Sequence, residues 1–480
     1  MSKPHHDLDR FFGISERGST VRTEIMAGLT AFITLAYVLI MSPQILAAPY
    51  HPDNADVYAY ADAAMYTKVY NGVFIATCIG SFLGTALCAL YARVPYAQAP
   101  GMGLNTFFAY TVCLGLGYTY HQALVVVFIS GVLFILISVV GLRDAIVKAI
   151  PNSVKKAITP GIGLFITILG LKNGGIVISD SSTLVGLVDF AQWQYNGGDT
   201  SGIMAPLLAL FGLALIGILV AHHVKGAVVA SICIVTLVGV PLGVTPINDF
   251  NADIGQQFRD FVEVSLFQLD FRGMFDTSAV GLTQTILTIV MLVMSFSLVN
   301  LFDSIGTLLG AARQAGMVDR DGNALRMNEA LMADAVSTAA CALIGTSTVS
   351  TMVESASGIA AGGRSGLTPL VTALMFLASV LLAPIVAIVP SCATAPALIY
   401  VGVLMLGNIR DVDFGDITDM IPAFCTIVFM PFTYSIANGV AMGMLFHCIL
   451  KAMTGRFREI KPLGLIVTLV FLARYAFMSM

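Results

Sequence analysis

Long runs of apolar residues recur along the whole chain, separated by short polar stretches. A helix needs about 20 residues to cross the hydrocarbon core of a bilayer, and most of these runs are close to that length. The pattern therefore predicts an all-α integral membrane protein with fourteen transmembrane segments. The predicted spans are 23–47, 71–91, 97–116, 119–141, 155–172, 203–222, 226–244, 284–312, 328–345, 347–362, 367–389, 394–408, 416–434 and 436–452. The apolar segment 463–478 contains Arg474 and is predicted to lie at the membrane interface.

Composition excludes several classes of protein. Hydrophobic residues make up 57% of the 480 positions and charged residues only 11%, whereas soluble domains carry about 25% charged residues. A soluble enzyme of this size could not cover its surface with so few polar side chains. The sequence has no basic tract interleaved with aromatic residues, so a nucleic-acid partner is not expected. The eight cysteines are scattered singly and no cluster has metal-ligand spacing, so neither a metal nor a cofactor is expected.

The distribution of positive charge predicts the orientation in the membrane. Cytoplasmic loops of membrane proteins hold an excess of Lys and Arg. When the N-terminus is placed inside, most of the 24 Lys and Arg residues fall on the cytoplasmic side of the predicted spans. An even number of spans then places both termini in the cytoplasm of a multi-pass cell-membrane protein.

Two of the predicted spans do not read as continuous helices. In span 3, Pro100 is unsuited to a helix interior and favours an extended conformation at Ala99. In span 10, a Ser/Thr run over 346–351 would lie at membrane depth and is followed by small residues. Each segment taken alone is also compatible with a re-entrant loop or a misplaced polar connection.

The matching positions of the two breaks predict an inverted repeat. Each break lies in the third span of a seven-span half, and because seven is odd, two similar halves must cross the membrane in opposite orientations. In transporters of this design, broken helices meet near the bilayer midplane and form the substrate site. Non-helical backbone at that depth is tolerated only where protein or a water-filled cavity satisfies it.

Three carboxylates lie inside predicted spans of the second half, at Asp303, Asp334 and Glu354. Each costs about 2.5–3.5 kcal/mol on membrane insertion scales, and these spans contain no obvious Lys or Arg partner. A mobile proton, a bound cation or a hydrogen bond to substrate could offset this cost. Asp303 shares a polar helix face with Ser304 and Thr307, an arrangement that also suits interhelical hydrogen bonds alone.

Glu354 falls at the predicted start of the second half-helix, where free N–H groups and the helix dipole favour negative charge. This position suits a carboxylate that accepts hydrogen bonds from a planar N–H ligand, and it also suits a helix cap without a ligand. Asp334 follows Arg326 and Glu329 by less than three turns. A structural role and a transport role are therefore equally open for Asp334.

Several motifs resemble those of the purine permeases in the nucleobase/ascorbate transporter superfamily, specifically the AzgA-like hypoxanthine/guanine/adenine branch. The likeness covers nearly the whole chain. The motifs are Leu8-Asp9-Arg10-Phe11-Phe12, Arg17-Gly18-Ser19-Thr20, Ala99-Pro100-Gly101-Met102-Gly103-Leu104-Asn105, Phe302-Asp303-Ser304-Ile305-Gly306-Thr307, Glu354-Ser355-Ala356-Ser357-Gly358-Ile359-Ala360, Ala361-Gly362-Gly363-Arg364-Ser365-Gly366-Leu367-Thr368 and Ala393-Thr394-Ala395-Pro396-Ala397-Leu398. Ala361 and Ser365 depart from the family pattern, where Glu and Thr are common, and Met41-Ser42-Pro43 lacks the usual Asn. These departures leave the substrate preference open.

The resemblance implies fourteen spans in a seven-plus-seven inverted repeat that is divided into a core domain and a gate domain. The implied segments are the cytoplasmic N-terminus 1–22, core 23–142 (spans 1–4), gate 143–283 (spans 5–7 and an extracytoplasmic loop), core 284–389 (spans 8–11), gate 390–454 (spans 12–14) and a cytoplasmic or interfacial C-terminus 455–480. Substrate would lie between the broken spans 3 and 10. By match to the family pattern, Asp303 and Glu354 become the purine-binding and proton-coupling carboxylates, with Asp334 as a supporting acid.

The expected function is that of a secondary active transporter, not an enzyme, which imports hypoxanthine, guanine or adenine by proton symport. Besides Asp303 and Glu354, the residues expected to contact the base are Ala99, Gly101, Met102, Gly103 and Thr351 through backbone groups, and Phe107, Phe108 or Tyr37 through their rings. The alternatives are coupling to Na⁺, another planar substrate or anion such as uracil, xanthine or ascorbate, a channel, and an intramembrane enzyme. A homodimer is left open.

Overall fold

The computed structural model describes residues 9–56, 58–140, 151–180, 184–191, 201–245, 253–275, 281–315, 317, 326–352, 354–386 and 388–477. These residues are mostly helical, as the hydrophobic pattern predicts, and they also include four short strands. The predicted domain boundary at 142–143 lies outside the described residues.

Helices and strands follow one another in the order of the predicted spans. The first part of the chain forms α1 (Val21–Leu35), α2 (Tyr37–Ala47), α3 (Ala63–Leu87), β1 (Gln98–Pro100), α4 (Met102–Thr106), α5 (Tyr120–Val140), α6 (Asn152–Asn173), β2 (Val177–Asp180), β3 (Leu184–Leu187), α7 (Ser201–Ala221), α8 (Ala227–Gly239), α9 (Ile254–Asp260) and α10 (Phe271–Met274). The second part forms α11 (Leu282–Ala315), α12 (Met327–Ile344), β4 (Val349–Thr351), α13 (Ser355–Ala360), α14 (Leu367–Ala378), α15 (Ala383–Val386), α16 (Ser391–Leu406), α17 (Ile417–Phe432), α18 (Ile436–Met453) and α19 (Pro462–Phe477). Short 3₁₀ or π-helical turns cover Ala48–Tyr50, Pro52–Asn54, Cys88–Ala92, Phe107–Gly115, Phe261–Ser265, Ser379–Leu382, Gly407–Asp411 and Phe457–Glu459.

Eight helical stretches in the described part of the chain are long and apolar enough to cross a membrane, and three shorter apolar helices accompany them. The eight are 21–54, 63–92, 120–140, 152–173, 202–221, 284–301, 367–386 and 391–411, and the shorter ones are 227–239, 417–432 and 438–453. The predicted span 328–345 corresponds to α12, which carries Asp334. The predicted spans 97–116 and 347–362 each combine a strand with a short helix, β1 with α4 and β4 with α13.

The long helices pack into two groups. The first helix group consists of α1, α2, α3, α5, α11, α12 and α14. The second helix group consists of α6, α7, α8, α16, α17 and α18. The ladder of β1 and β4 packs against α3, α11 and α12, and therefore belongs to the first helix group. The short helix α4 that follows β1 contacts α6, so the broken segment lies where the two groups meet.

Local sequence sets the ends of several helices. The side chains of Thr20, Asp62, Asp416 and Ser435 accept backbone N–H groups in the first turns of α1, α3, α17 and α18. At its other end, α12 stops at Gly345, which adopts a left-handed conformation with φ 97°. A Cβ atom there would lie 2.6 Å from the carbonyl oxygen of Ser265, so a glycine is required for the chain to leave the helix towards β4.

Candidate functional site

The two interrupted segments meet as an antiparallel ladder. The pairs across the ladder are Gln98 with Thr351, Ala99 with Ser350 and Pro100 with Val349. Residues directly opposite one another share a face of the ladder, and successive residues along a strand point to opposite faces. The ladder therefore has one face that carries Gln98 and Thr351 and another that carries Ala99 and Ser350.

The face with Gln98 and Thr351 is fastened to the first helix group. The amide of Gln98 donates a hydrogen bond to Asp334, and the Thr351 hydroxyl donates to the same Oδ1 atom at 3.3 Å. The Ser337 hydroxyl donates to Oε1 of Gln98 at 3.0 Å. All four side chains are fully buried. The structure thus places Asp334 in a buried polar network that holds the ladder against α12.

The other face of the ladder lies beside Asp303 of α11. At Gly101, which directly follows β1, a Cβ atom would lie 3.5 Å from Oγ of Ser350 and 3.8 Å from Oδ2 of Asp303. The carboxylate of Asp303 makes no hydrogen bond or ion pair with the described residues, and its residue is partly accessible. We call the space bounded by Gly101, Ser350 and Asp303 the glycine cradle.

Glu354 lies directly before α13, as the sequence predicts, but its side chain makes no capping hydrogen bond to that helix. Instead, the Tyr37 hydroxyl of α2 donates to Oε1 of Glu354 at 2.5 Å. Tyr37 is 1% exposed, whereas Glu354 is partly accessible. The sequence predicts Tyr37 as a stacking ring, and in the structure its polar end contacts the carboxylate.

The two phenylalanines predicted as alternative stacking partners are fully buried. The ring of Phe107 packs on Phe296 with centroids 4.8 Å apart, and Phe108 packs on Tyr120 at 5.6 Å. Both rings thus have partners within the protein.

The remaining predicted contact residues lie on the broken segment after β1. Met102 is 4% exposed, and a Cβ at Gly103 would lie 2.7 Å from Cγ2 of Ile162 on α6. The start of α4 therefore packs closely on the second helix group.

The three carboxylates all lie near β4: Asp334 accepts a hydrogen bond from Thr351, Asp303 lies beside Gly101 and Ser350, and Glu354 follows the strand. None of the ion pairs in the described part of the chain involves any of the three. The buried Lys451, by contrast, is paired with carboxylates outside the ladder region. The charge at the glycine cradle is therefore left for a proton, a cation or a ligand N–H group to offset.

Sequence reasoning missed several polar residues that complete the site. Gln98 and Ser350 belong to the ladder itself, and the Asn105 amide donates to Oγ of Ser42 at 2.9 Å while it accepts from Ser347. The signal was available in part, because Gln98 and Asn105 flank the break at Pro100 at predicted membrane depth. The assignment of each side chain to a face required the register of the ladder. Within the described residues, no group of three or more His, Cys, Asp or Glu side chains is arranged to hold a metal ion.

Comparisons with known proteins agree with this architecture. Residues 22–442 match the sequence profile described as the Permease family. The chain is 37% identical to the adenine permease AdeP of Escherichia coli, over 98% of this chain and 96% of the relative. It is 36% identical to the guanine/hypoxanthine permease PbuO of Bacillus subtilis, over 96% of this chain and 98% of the relative. Among solved structures, the transmembrane domain of the cyanobacterial bicarbonate transporter BicA has a similar fold, with a TM-score of 0.59 at 16% identity, covering 87% of this chain and 97% of that domain.

Proposed function

The chain belongs to the permease family that matches residues 22–442, and on this premise we propose that it imports a purine nucleobase together with a proton. It is a multi-pass membrane protein with mostly helical structure. The names of the two relatives given above include purine bases, adenine for one and guanine/hypoxanthine for the other. This supports a purine as the cargo and leaves the choice between the bases to experiment.

The observation that carries the proposal is the carboxylate of Asp303 beside Gly101, which has no hydrogen-bond or ion-pair partner among the described residues. A carboxylate accepts hydrogen bonds and donates none when ionised, so it suits the N–H groups on the edge of a purine. Glu354 offers a second acceptor group on the segment that follows β4, already oriented by Tyr37. Both acids belong to the second half of the predicted repeat: Asp303 lies on α11, and Glu354 follows β4 of the ladder.

The lack of a cationic partner for these acids among the described residues supports proton coupling. A buried carboxylate without a countercharge is stabilised when it holds a proton or hydrogen-bonds to a ligand. In our proposal Asp303 gains the coupling proton from the outside and releases it inside, and Asp334 supports the site through Gln98 and Thr351. Protonation that changes purine affinity couples the two fluxes.

The proposed architecture has fourteen spans in a seven-plus-seven inverted repeat, with spans 3 and 10 broken. Two features of the structure support it: the ladder between the interrupted segments and the separation of the long helices into two groups. The helices of the first group correspond to the spans expected in the core domain, and those of the second group to the spans expected in the gate domain. Sliding of the core against the gate would expose the site to one side of the membrane at a time.

The proposal is tested by uptake of radiolabelled adenine, guanine and hypoxanthine into proteoliposomes with imposed pH or Na⁺ gradients. Glu354→Gln is expected to raise the half-saturation concentration about tenfold or more, because a charge-assisted hydrogen bond contributes about 1.5–3 kcal/mol. Asp303→Asn is expected to abolish the stimulation of uptake by an inward proton gradient. Glu16→Gln, at an exposed acid outside the site, is the matched control and should behave like the wild type.

Three results would contradict the proposal. Unchanged affinity and unchanged pH coupling in both site variants would remove the carboxylates from the mechanism. Current through single channels without saturable uptake would favour a channel, and competition by uracil, xanthine or ascorbate but not by purines would change the cargo.

A further inference from the structure

We infer that Ser350 is a further substrate-contacting residue, whose hydroxyl reads the edge of the base next to the group held by Asp303. This inference rests on the proposed function and deepens it, because it concerns how the same site recognises a purine.

The first observation is that the Ser350 hydroxyl is buried without a partner. The residue is 0% exposed, and Oγ has no hydrogen-bond partner in the described part of the chain. Buried hydroxyls in native proteins are normally hydrogen-bonded. The neighbouring Thr351, on the other face of the same ladder, meets this requirement through Asp334. Within the described residues, the Thr351 hydroxyl is therefore hydrogen-bonded and that of Ser350 is not.

The second observation is the space in front of that hydroxyl. Ser350 lies opposite Ala99 in the ladder, and Gly101 directly follows β1, so its neighbours on the β1 side of this face are small. A Cβ at Gly101 would stand 3.5 Å from the Ser350 hydroxyl and 3.8 Å from the Asp303 carboxylate. Gly101 has φ −71°, a conformation that any residue adopts, so the backbone does not require glycine here. The absence of a side chain at Gly101 leaves space between the Ser350 hydroxyl and the Asp303 carboxylate.

The chemistry of a purine edge fits this pair of groups. On the edge of the six-membered ring, hypoxanthine presents N1–H beside the O6 carbonyl, and adenine presents its amino group beside N1. The Asp303 carboxylate accepts from the donor, and the Ser350 hydroxyl donates to the adjacent acceptor. The pair suits both bases: Asp303 accepts from N1–H of hypoxanthine or from the amino group of adenine, and Ser350 donates to O6 or to N1.

The test compares Ser350→Ala with the matched control Ser81→Ala. Ser81 is also 0% exposed, and its hydroxyl has no hydrogen-bond partner in the described part of the chain, but it belongs to α3 and not to the ladder. Both variants should unfold at the wild-type temperature, since neither loses a hydrogen bond to the protein. Ser350→Ala is expected to raise the half-saturation concentration for adenine and hypoxanthine about five- to tenfold, the effect of one lost hydrogen bond, and Ser81→Ala to leave it unchanged.

Ring analogues separate a direct contact from a structural effect. The 1-, 3- and 7-deaza forms of adenine each lack one acceptor nitrogen. The analogue that lacks the nitrogen bound by Ser350 should compete poorly with radiolabelled adenine for uptake by the wild-type protein. In Ser350→Ala this analogue should lose no further affinity relative to adenine, because its partner is already absent. Gly101→Ala, which fills the cradle without straining the backbone, should weaken adenine uptake while the variant unfolds at the wild-type temperature.

The outcomes distinguish the inference from the proposed function. If the wild type takes up purines and Ser350→Ala has wild-type affinity for adenine and hypoxanthine, the inference is overturned while the proposed function stands. If the wild type takes up none of the purines, the proposed function itself fails. A loss of affinity in Ser350→Ala that is equal for adenine and all three analogues would also overturn a direct contact.

Discussion

At the scale of single residues, the site depends on which polar atoms already have partners. Tyr37 occupies one oxygen of Glu354, and Gln98 with Thr351 occupies one oxygen of Asp334. The carboxylate of Asp303, in contrast, accepts no hydrogen bond from the described residues, and Thr307 donates only to its backbone carbonyl. The three acids are therefore not equivalent. Tyr37 orients Glu354, and Asp334 is hydrogen-bonded to the ladder. In our proposal the carboxylate of Asp303 binds the ligand or the proton.

Removal of the Tyr37 hydroxyl tests the orienting role. Tyr37→Phe keeps the ring and removes a charge-assisted hydrogen bond, which contributes about 1.5–3 kcal/mol. Substrate binding must then order the Glu354 carboxylate, so the half-saturation concentration of the purine should rise about tenfold with a smaller change in maximal rate. Concentration-dependent uptake measures both parameters. Tyr70→Phe, whose hydroxyl donates to the Val386 carbonyl, is the control, and equal effects of the two variants would speak against the role.

At the scale of elements, the ladder is held by close contact with α3 as well as by hydrogen bonds. A Cβ at Gly84 would lie 2.7 Å from Cγ1 of Val349 and 2.9 Å from Oε1 of Gln98. The single glycine thus lets α3 approach both strands at once. A ladder of three residue pairs has little stability of its own, so its position is set by the helices that pack on it.

Substitution of Gly84 tests this packing. Gly84→Ala is expected to destabilise the protein by about 1–3 kcal/mol, because the added methyl group must displace Val349 or Gln98. Gly217→Ala is the control, since no atom lies within 4 Å of a Cβ there and alanine favours a helix interior by about 0.5–1 kcal/mol. The stabilities of both variants are measured by thermal unfolding, which is monitored by the reaction of the buried cysteines with a fluorescent thiol reagent as they become exposed. A Gly84→Ala protein as stable as Gly217→Ala would show that the ladder adapts freely.

At the scale of the whole molecule, the two helix groups meet near the broken segments. Gly103 packs on Ile162 of the second helix group, while the ladder beside it stays attached to α12 of the first. A relative movement of the groups would therefore change the surroundings of the glycine cradle without taking the ladder apart. This arrangement suits a transporter in which the site is carried by one group past the other.

The predicted orientation of the whole molecule is tested by labelling from each side of the membrane. In a background with the exposed Cys233 and the partly exposed Cys448 replaced by serine, Asp53→Cys and Arg458→Cys place single reactive thiols at exposed positions. If most Lys and Arg face the cytoplasm, a membrane-impermeant thiol reagent should label Asp53→Cys in intact cells and Arg458→Cys only after permeabilisation. Labelling of both positions from outside would contradict an arrangement with the termini inside.

The sequence by itself determined the membrane class, the two interruptions at Pro100 and at 346–351, and the three acids that need an explanation. These features are local: hydropathy over a window, a proline without an N–H, a charge inside an apolar run. Only the tertiary structure decided that the interruptions pair with each other and which side chains share a face. The Tyr37 hydroxyl and the Glu354 carboxylate are 317 residues apart in the chain, and nothing in either local sequence specifies that contact. Partner choice over such separations is set by how the helices pack, because packing determines which polar atoms are buried together.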